Sequence, residues 1–197
     1  MALDLKSART LLWGAVLALA FIASGLYGYT TLTKSVSTGI GTGSYTLQTA
    51  EGQVFNHDSL KGPPSMLFFG YTHCPDVCPT TMAEMAGWYE TLGDEAKDLR
   101  AFFVTVDPER DTADVIRDYV EWTGHVQGVT GSRTEIDKAI AAWRVVAEKV
   151  PGRDGDYTMN HTASVFLVDA DGNFAGTIAY QEDAATAVGK LRKLLAG

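Results

Sequence analysis

Cysteine is nearly absent: the 197 residues hold only two, so a disulfide-rich scaffold is excluded. An excess of positive charge is also absent. Sixteen Lys and Arg face 24 Asp and Glu, for a formal net charge of −8. That balance argues against nucleic acid as a partner, because binding a phosphate backbone needs clustered positive charge. No internal repeat and no sign of a second domain are present. Histidine is scarce too, with four residues, which keeps the search for metal ligands short. The apolar fraction of 46% is ample for one core.

Long uncharged runs are likewise few, and the one from Leu11 to Tyr29 stands out. It is long enough to cross a bilayer as a helix. Trp13 lies near one end and Tyr27 and Tyr29 at the other, as interfacial aromatics do. Lys6 and Arg9 precede it, which predicts the amino terminus inside and the rest outside. A cleaved signal peptide is the rival, but its apolar core is normally shorter. The residues before the run are too few for an Arg-rich mitochondrial presequence. The expectation is a cytoplasmic segment 1–10, a single transmembrane anchor 11–29, a Thr/Ser/Gly-rich flexible tether 30–44 and a folded domain 45–197. The expected setting is a bacterial inner membrane with the domain in the periplasm, where dithiols tend to be oxidised.

Both cysteines lie in Gly70-Tyr-Thr-His-Cys74-Pro-Asp-Val-Cys78-Pro79. Before them runs Ser65-Met-Leu-Phe-Phe69, apolar and of strand length. After them, Met82, Met85 and Tyr89 fall at helical spacing. The pair therefore sits where a buried strand becomes a helix. A helix N-terminus favours thiolate, the form that binds soft metals and attacks disulfides. A structural disulfide is the bland alternative. Its closed loop is so short that it would contribute only about 2 kcal/mol.

Tyr45–Gln48 and Gln53–Phe55 flank Glu51-Gly52 as a hairpin. Leu99–Val106 reads as a central strand ending at Asp107-Pro-Glu-Arg-Asp-Thr112. Asp111 or Thr112 can cap a helix through Val115 to Val120. Ser132 and Glu135 have capping-box spacing before a helix through Trp143. Residues 150–156 read as a loop or small hairpin insertion. Strands follow at Ala163–Val168 and Phe174–Tyr180, and Asp183 caps a last helix. That order predicts an α/β fold, a mixed sheet covered on both faces in the order of a thioredoxin-like fold with additions. Sites in such sheets form at the carboxyl ends of strands, where the cysteine turn and Asp107 both fall.

Among the histidines, His57, His73 and His125 read as solvated. His161, in Tyr157-Thr-Met-Asn160-His161-Thr162 just before a strand, can converge on the site, although spacing alone leaves it a candidate. Two thiolates and one imidazole form a soft set suited to Cu(I) and, with a weak further ligand, to Cu(II). Structural zinc normally takes a fourth protein ligand. Asp107 reads equally as a carboxylate near the metal or as a turn residue. Arg110 and Asp111 read as a local ion pair and helix cap.

These residues together resemble the Sco/SenC family, membrane-anchored copper proteins of thioredoxin fold that assist cytochrome c oxidase assembly. The resemblance rests on Phe69-Gly-Tyr-Thr-His-Cys74-Pro-Asp-Val-Cys78-Pro79, Val106-Asp-Pro-Glu-Arg-Asp-Thr112, Val129-Thr-Gly131 and Tyr157 through His161-Thr. It covers nearly all of residues 45–197. It implies that Cys74, Cys78 and His161 bind one copper ion. It implies delivery to the dinuclear copper site of the oxidase, or upkeep of that site's cysteines in reduced form. The implied partners are the copper-bearing oxidase subunit and a periplasmic copper donor or thiol reductant. Two departures stand out: Asn160 replaces the Asp that the family often carries before its histidine, and 124–128 is short. The competing reading is an enzyme, a thiol-disulfide oxidoreductase. C-x-x-x-C spacing, in place of C-x-x-C, weakens it. A peroxidase is a third and more distant reading.

Overall fold

The computed structural model describes residues 39–152 and 155–197, together with 9, 13–14 and 16–24 near the amino terminus. The chain divides into two units, Met1–Val36 and Ser37–Gly197. In the first, residues 16–24 are helical. Trp13, Leu17 and Phe21 there are exposed. No helix among the described residues is long and apolar enough to cross a membrane. The expected anchor 11–29 is described only in part, and residues 1–8, 10 and 30–38 lie outside the described residues.

The second unit is a mixed α/β body. Strands β1 (Leu47–Thr49) and β2 (Val54–Phe55) form the expected hairpin, with Leu47 opposite Phe55. Its turn closes through Gly52, whose φ of 84° suits a residue without a Cβ. Strand β3 (Ser65–Gly70) is buried at all six positions, as a strand covered on both faces must be. It pairs in parallel with β4 (Arg100–Thr105). Strand β5 (Val126–Thr130) continues the parallel set beyond β4 and meets β1 antiparallel. On the other side β3 pairs antiparallel with β8 (Val165–Val168), which pairs with β9 (Phe174–Ile178). The sheet order is β2-β1-β5-β4-β3-β8-β9. Strands β6 (Ala147–Pro151) and β7 (Tyr157–His161) make a separate antiparallel hairpin.

The mixed sheet is as expected from the order of elements. Strand β5 was not expected, because Gln127 and Gly128 dilute its apolar signal. Gly128 is there for space: a Cβ would overlap the side chain of Ile116. The segment 150–156, expected as a loop or small hairpin insertion, begins in β6 and leads into β7 of the β6–β7 hairpin, with residues 153 and 154 outside the described residues, and His161 ends β7.

Helix α1 (Val77–Leu92) follows the cysteine turn and buries Met82, Met85, Trp88 and Tyr89. Full burial of side chains of this size is worth about 1.5–3 kcal/mol each. Helix α2 (Ala113–Val120) is capped by Thr112, whose side chain accepts from the Val115 amide. Helix α3 (Arg133–Trp143) is capped by Ser132. The reciprocal half of that capping box is diverted, since Glu135 accepts from the Thr46 amide at 2.7 Å and pins the β1 approach. Helix α4 (Ala184–Ala196) is capped by Asp183 and packs against α1. Ahead of residue 45, the Gly41 amide donates to Ala142 O at 2.8 Å.

Candidate metal centre

The site is built at the carboxyl end of β3. Gly70 ends the strand, residues 71–76 turn, and Cys78 is the second residue of α1. Its thiol is fully buried, while Cys74 is partly exposed; both are free. The Cys78 amide donates to Cys74 Sγ at 3.3 Å, so a first-turn amide of α1 points at the outer sulfur. Such an unpaired helical amide favours an anion. In the dithiol form, proton sharing with Cys78 holds Cys74 well below the ordinary thiol range. The amides of Asp76 and Cys78 help, against the opposing effect of burial. The same sharing, then burial, pushes Cys78 up. Cys74 is therefore the first to become thiolate.

His161 comes from the hairpin, at the end of β7. Its Nε2 lies 3.4 Å from Cys78 Sγ. Its Nδ1 lies 3.0 Å from Thr162 O. A carbonyl can only accept, so Nδ1 carries the hydrogen and Nε2 presents a lone pair toward the sulfurs. Thr162 is itself held, its amide donating to Val146 O and its hydroxyl accepting from the Val146 amide. The imidazole packs edge-on against Phe68 and Tyr71, with ring centroids 6.0 and 5.7 Å away.

The donor atoms of Cys74, Cys78 and His161 all lie within 4.8 Å of one another. Among the described residues no other His, Cys, Asp or Glu joins a group of three that could hold a metal. The set fits a soft ion on three counts. A thiolate forms readily, the imidazole is in its ligating tautomer, and only three protein donors converge, one fewer than structural zinc takes.

The remaining candidates fall elsewhere. His73 is 54% exposed, with Nδ1 3.1 Å from the Thr72 hydroxyl. His125 is exposed and stacks on Tyr89 at 4.2 Å. His57 contributes to no donor group. Asp107 does not join the sulfurs. Fully buried, it accepts from the Tyr157 hydroxyl at 2.7 Å and pairs with Arg110. Burial, then the Asp107 carboxylate, push the Tyr157 phenol up to about 12, so it remains a donor. Asp111 is not the cap, which is Thr112; it is a buried acceptor beneath the cysteine turn. The Arg110 ion pair with Asp107 is local as expected, but it also reaches Asp156 and Tyr157 on the hairpin. Tyr157 as a structural partner was missed. Its only sequence signal was its place at the head of the motif that ends in His161.

Fold and site together define a thioredoxin-like α/β domain carrying a Cys-Cys-His group able to hold one soft metal ion. A family model described as SCO1/SenC matches residues 34–196. The chain belongs to the SCO1/SenC family. It is 35% identical over 135 residues to the SCO2-like protein of Rickettsia felis, covering 67% of this chain and 66% of that one. It is 35% identical over 136 residues to the human mitochondrial SCO1 homolog, covering 67% of this chain and 45% of that protein. These matches thus span just under two thirds and under half of those relatives' lengths. Among solved structures, ScoI of Bradyrhizobium japonicum with copper bound aligns at a TM-score of 0.72 and 41% identity, over 79% of this chain and 99% of that one. Yeast Sco1 with copper bound aligns at 0.73 and 28% identity, over 80% and 89%.

Proposed function

We propose that the chain is a membrane-anchored copper metallochaperone that carries one ion between Cys74, Cys78 and His161 and delivers it to the dinuclear copper site of cytochrome c oxidase. The observation that carries this reading is the convergence of the three donors within 4.8 Å, from two chain segments far apart in sequence. Relatives whose solved structures hold copper support the choice of metal. Cys74, partly exposed and the readier thiolate, meets the ion first. Cys78 and His161 then complete the site behind it. A partner's thiolates replace the donors one at a time, beginning with the exposed Cys74. Oxidation of Cys74 and Cys78 to a disulfide removes both sulfur donors, so redox state gates loading. The anchor and the periplasmic location belong to the same proposal and rest on the 11–29 run and its charged flank.

The asymmetry of the thiols favours one second reading. A low-pKa, accessible Cys74 can attack a partner disulfide and release one partner thiolate. Cys78 then displaces the partner's other sulfur as it closes the Cys74–Cys78 disulfide. Two electrons pass from this dithiol to the partner, which leaves as a dithiol. His161 separates the two readings, since this exchange needs no imidazole donor.

The test titrates the reduced full-length protein in detergent with copper, beside His161→Ala. Cu(I) is followed by chelator competition and Cu(II) by thiolate-to-copper charge-transfer absorbance. One tight equivalent, weakened by the substitution, is expected. Simple oxidation of the thiols with no tight site would reject the chaperone in favour of the oxidoreductase.

A further inference from the structure

The β6–β7 hairpin carries His161, yet its strands pair only with each other among the described residues. No strand ladder joins it to the seven-stranded sheet. His161 is tied to the sheet by the three residues that lead into β8, and beyond that tether side chains fix where the hairpin stands. Alternation along β7 puts Tyr157, Met159 and His161 on one face, with Thr158 and Asn160 on the other. Burial agrees: Met159 is buried, Tyr157 and His161 partly so, and Thr158 and Asn160 exposed. The inward row thus has His161 at one end and Tyr157 at the other, like the two ends of a short bar.

The Tyr157 end is clasped. The fully buried Asp107 accepts from the Tyr157 hydroxyl at 2.7 Å and pairs with Arg110 Nε. Arg110 Nη1 donates to Tyr157 O at 3.1 Å and to Asp156 Oδ1 at 3.3 Å. The guanidinium lies over the Tyr157 ring at 3.7 Å from its centroid. It is also 5.8 Å from the centroid of Tyr71, and the Tyr71 ring stands perpendicular to His161. Arg110 therefore touches both the bar that bears His161 and the ring against which His161 rests.

We infer that Arg110, held by Asp107, is a positioning residue for His161: it clasps Tyr157 and so sets how well the imidazole meets the two sulfurs. This rests on the copper reading of the Cys74, Cys78, His161 group. It adds that the tightness of the site is governed from residues that touch no metal. An arginine is required here because a planar fork can pair with a carboxylate, donate to a carbonyl and stack on a ring together; lysine cannot. Groups that orient a metal-binding histidine commonly change affinity about 10–100-fold when removed.

The test measures Cu(I) affinity by chelator competition on the reduced full-length protein in detergent. It compares Arg110→Gln, Tyr157→Phe and Arg110→Lys, each alone and combined with His161→Ala. Arg110→Gln is expected to weaken binding about 10–100-fold, with Tyr157→Phe milder and Arg110→Lys a partial rescue. Combined with His161→Ala, each should add less than about twofold, because the route runs through the imidazole. Full affinity in Arg110→Gln and Tyr157→Phe, or an undiminished loss in the His161→Ala background, overturns the inference. Tyr157→Phe removes one hydroxyl and keeps the ring, so it decides the matter if Arg110→Gln does not fold. A second readout needs no metal: NMR of the His161 ring in the reduced protein. The ring should give one signal set in the parent, and broadened or doubled signals in the clasp variants. If His161→Ala leaves copper binding intact, the copper reading of that residue fails. The NMR arm then decides positioning, and unchanged ring signals overturn it.

Discussion

The Thr72 hydroxyl donates to the buried Asp111 carboxylate at 2.6 Å, and the Thr72 amide donates to its other oxygen at 3.0 Å. Thr105, at the end of β4, adds a third donor at 2.7 Å. One carboxylate thus pins the cysteine turn, two residues before Cys74, to the neighbouring parallel strand. Asp111→Ala leaves three donors without their acceptor. Each unsatisfied buried group costs about 1–3 kcal/mol, so a net loss of about 2–4 kcal/mol is expected after relaxation. That corresponds to a Tm lower by about 5–12 °C for a domain of this size. Thr72→Val removes only the hydroxyl bond and should cost about 1 kcal/mol. Thermal melts of the reduced protein check both. An Asp111→Ala melt within 1 °C of the parent would mean that the turn is held by something else.

The thiol asymmetry predicts a pH profile. An ordinary thiol, with a pKa near 8.5, is about 1% thiolate at pH 6.5, and its labelling rate falls about tenfold per unit below that. Cys74 sits well below that range, so it stays thiolate as the pH falls through 6.5. Its labelling by iodoacetamide should stay nearly level from pH 8 to pH 6. Cys78, buried and pushed up, should label far more slowly throughout. Mass spectrometry of partly labelled protein assigns the sites. Preferential labelling of Cys78, or a tenfold fall per unit at Cys74, would reverse the assigned order of deprotonation.

Gly70 lies against the inner sulfur. A Cβ there would stand 2.9 Å from Cys78 Sγ and 2.8 Å from the Phe103 ring, both packed in the core. Gly70→Ala should therefore cost about 1–3 kcal/mol by overpacking and displace Cys78. Copper affinity should fall about tenfold, the equivalent of about 1.4 kcal/mol. Gly87→Ala is the matched control. It lies inside α1 with nothing within 4 Å of the new methyl, and should stabilise by about 0.5–1 kcal/mol. Equal behaviour of the two variants in melts and copper competition would remove the steric argument.

The strand Ser65–Gly70, the helix stripe Met82, Met85, Tyr89 and the caps Ser132 and Asp183 were legible in the sequence, because periodicity and local hydrogen bonding decide them. The paired cysteines were legible for the same reason, being three residues apart in one turn. His161 was only a candidate on spacing. What joins it to Cys78, 83 positions away, is a hairpin whose placement depends on side chains, and no local pattern encodes that. Asp107 and Asp111 show the limit most clearly. Asp107 reads equally as a carboxylate near the metal or a turn residue, and Asp111 as a cap, yet each is a buried acceptor for partners that only the folded chain brings near. Strand β5 was missed because a five-residue strand with a central glycine carries almost no periodic signal.

Asn160 is where the resemblance leads one to expect aspartate, and the hairpin register bears on that difference. It lies directly opposite Glu148, and both side chains are exposed on the outer face of β6–β7. Aspartate there would set two carboxylates across from each other, which destabilises an antiparallel pair by about 0.2–1 kcal/mol. Because residue 160 faces away from the row that holds His161, solvent and salt would screen the added charge from the sulfurs. Asn160→Asp should therefore lower stability by about 0.5 kcal/mol and change copper affinity by less than about threefold. Adding Glu148→Gln should restore the stability and leave the affinity unmoved. Denaturant melts with chelator competition on the single and double variants check this. A tenfold tightening by Asn160→Asp alone would show that a charge at this position does reach the metal.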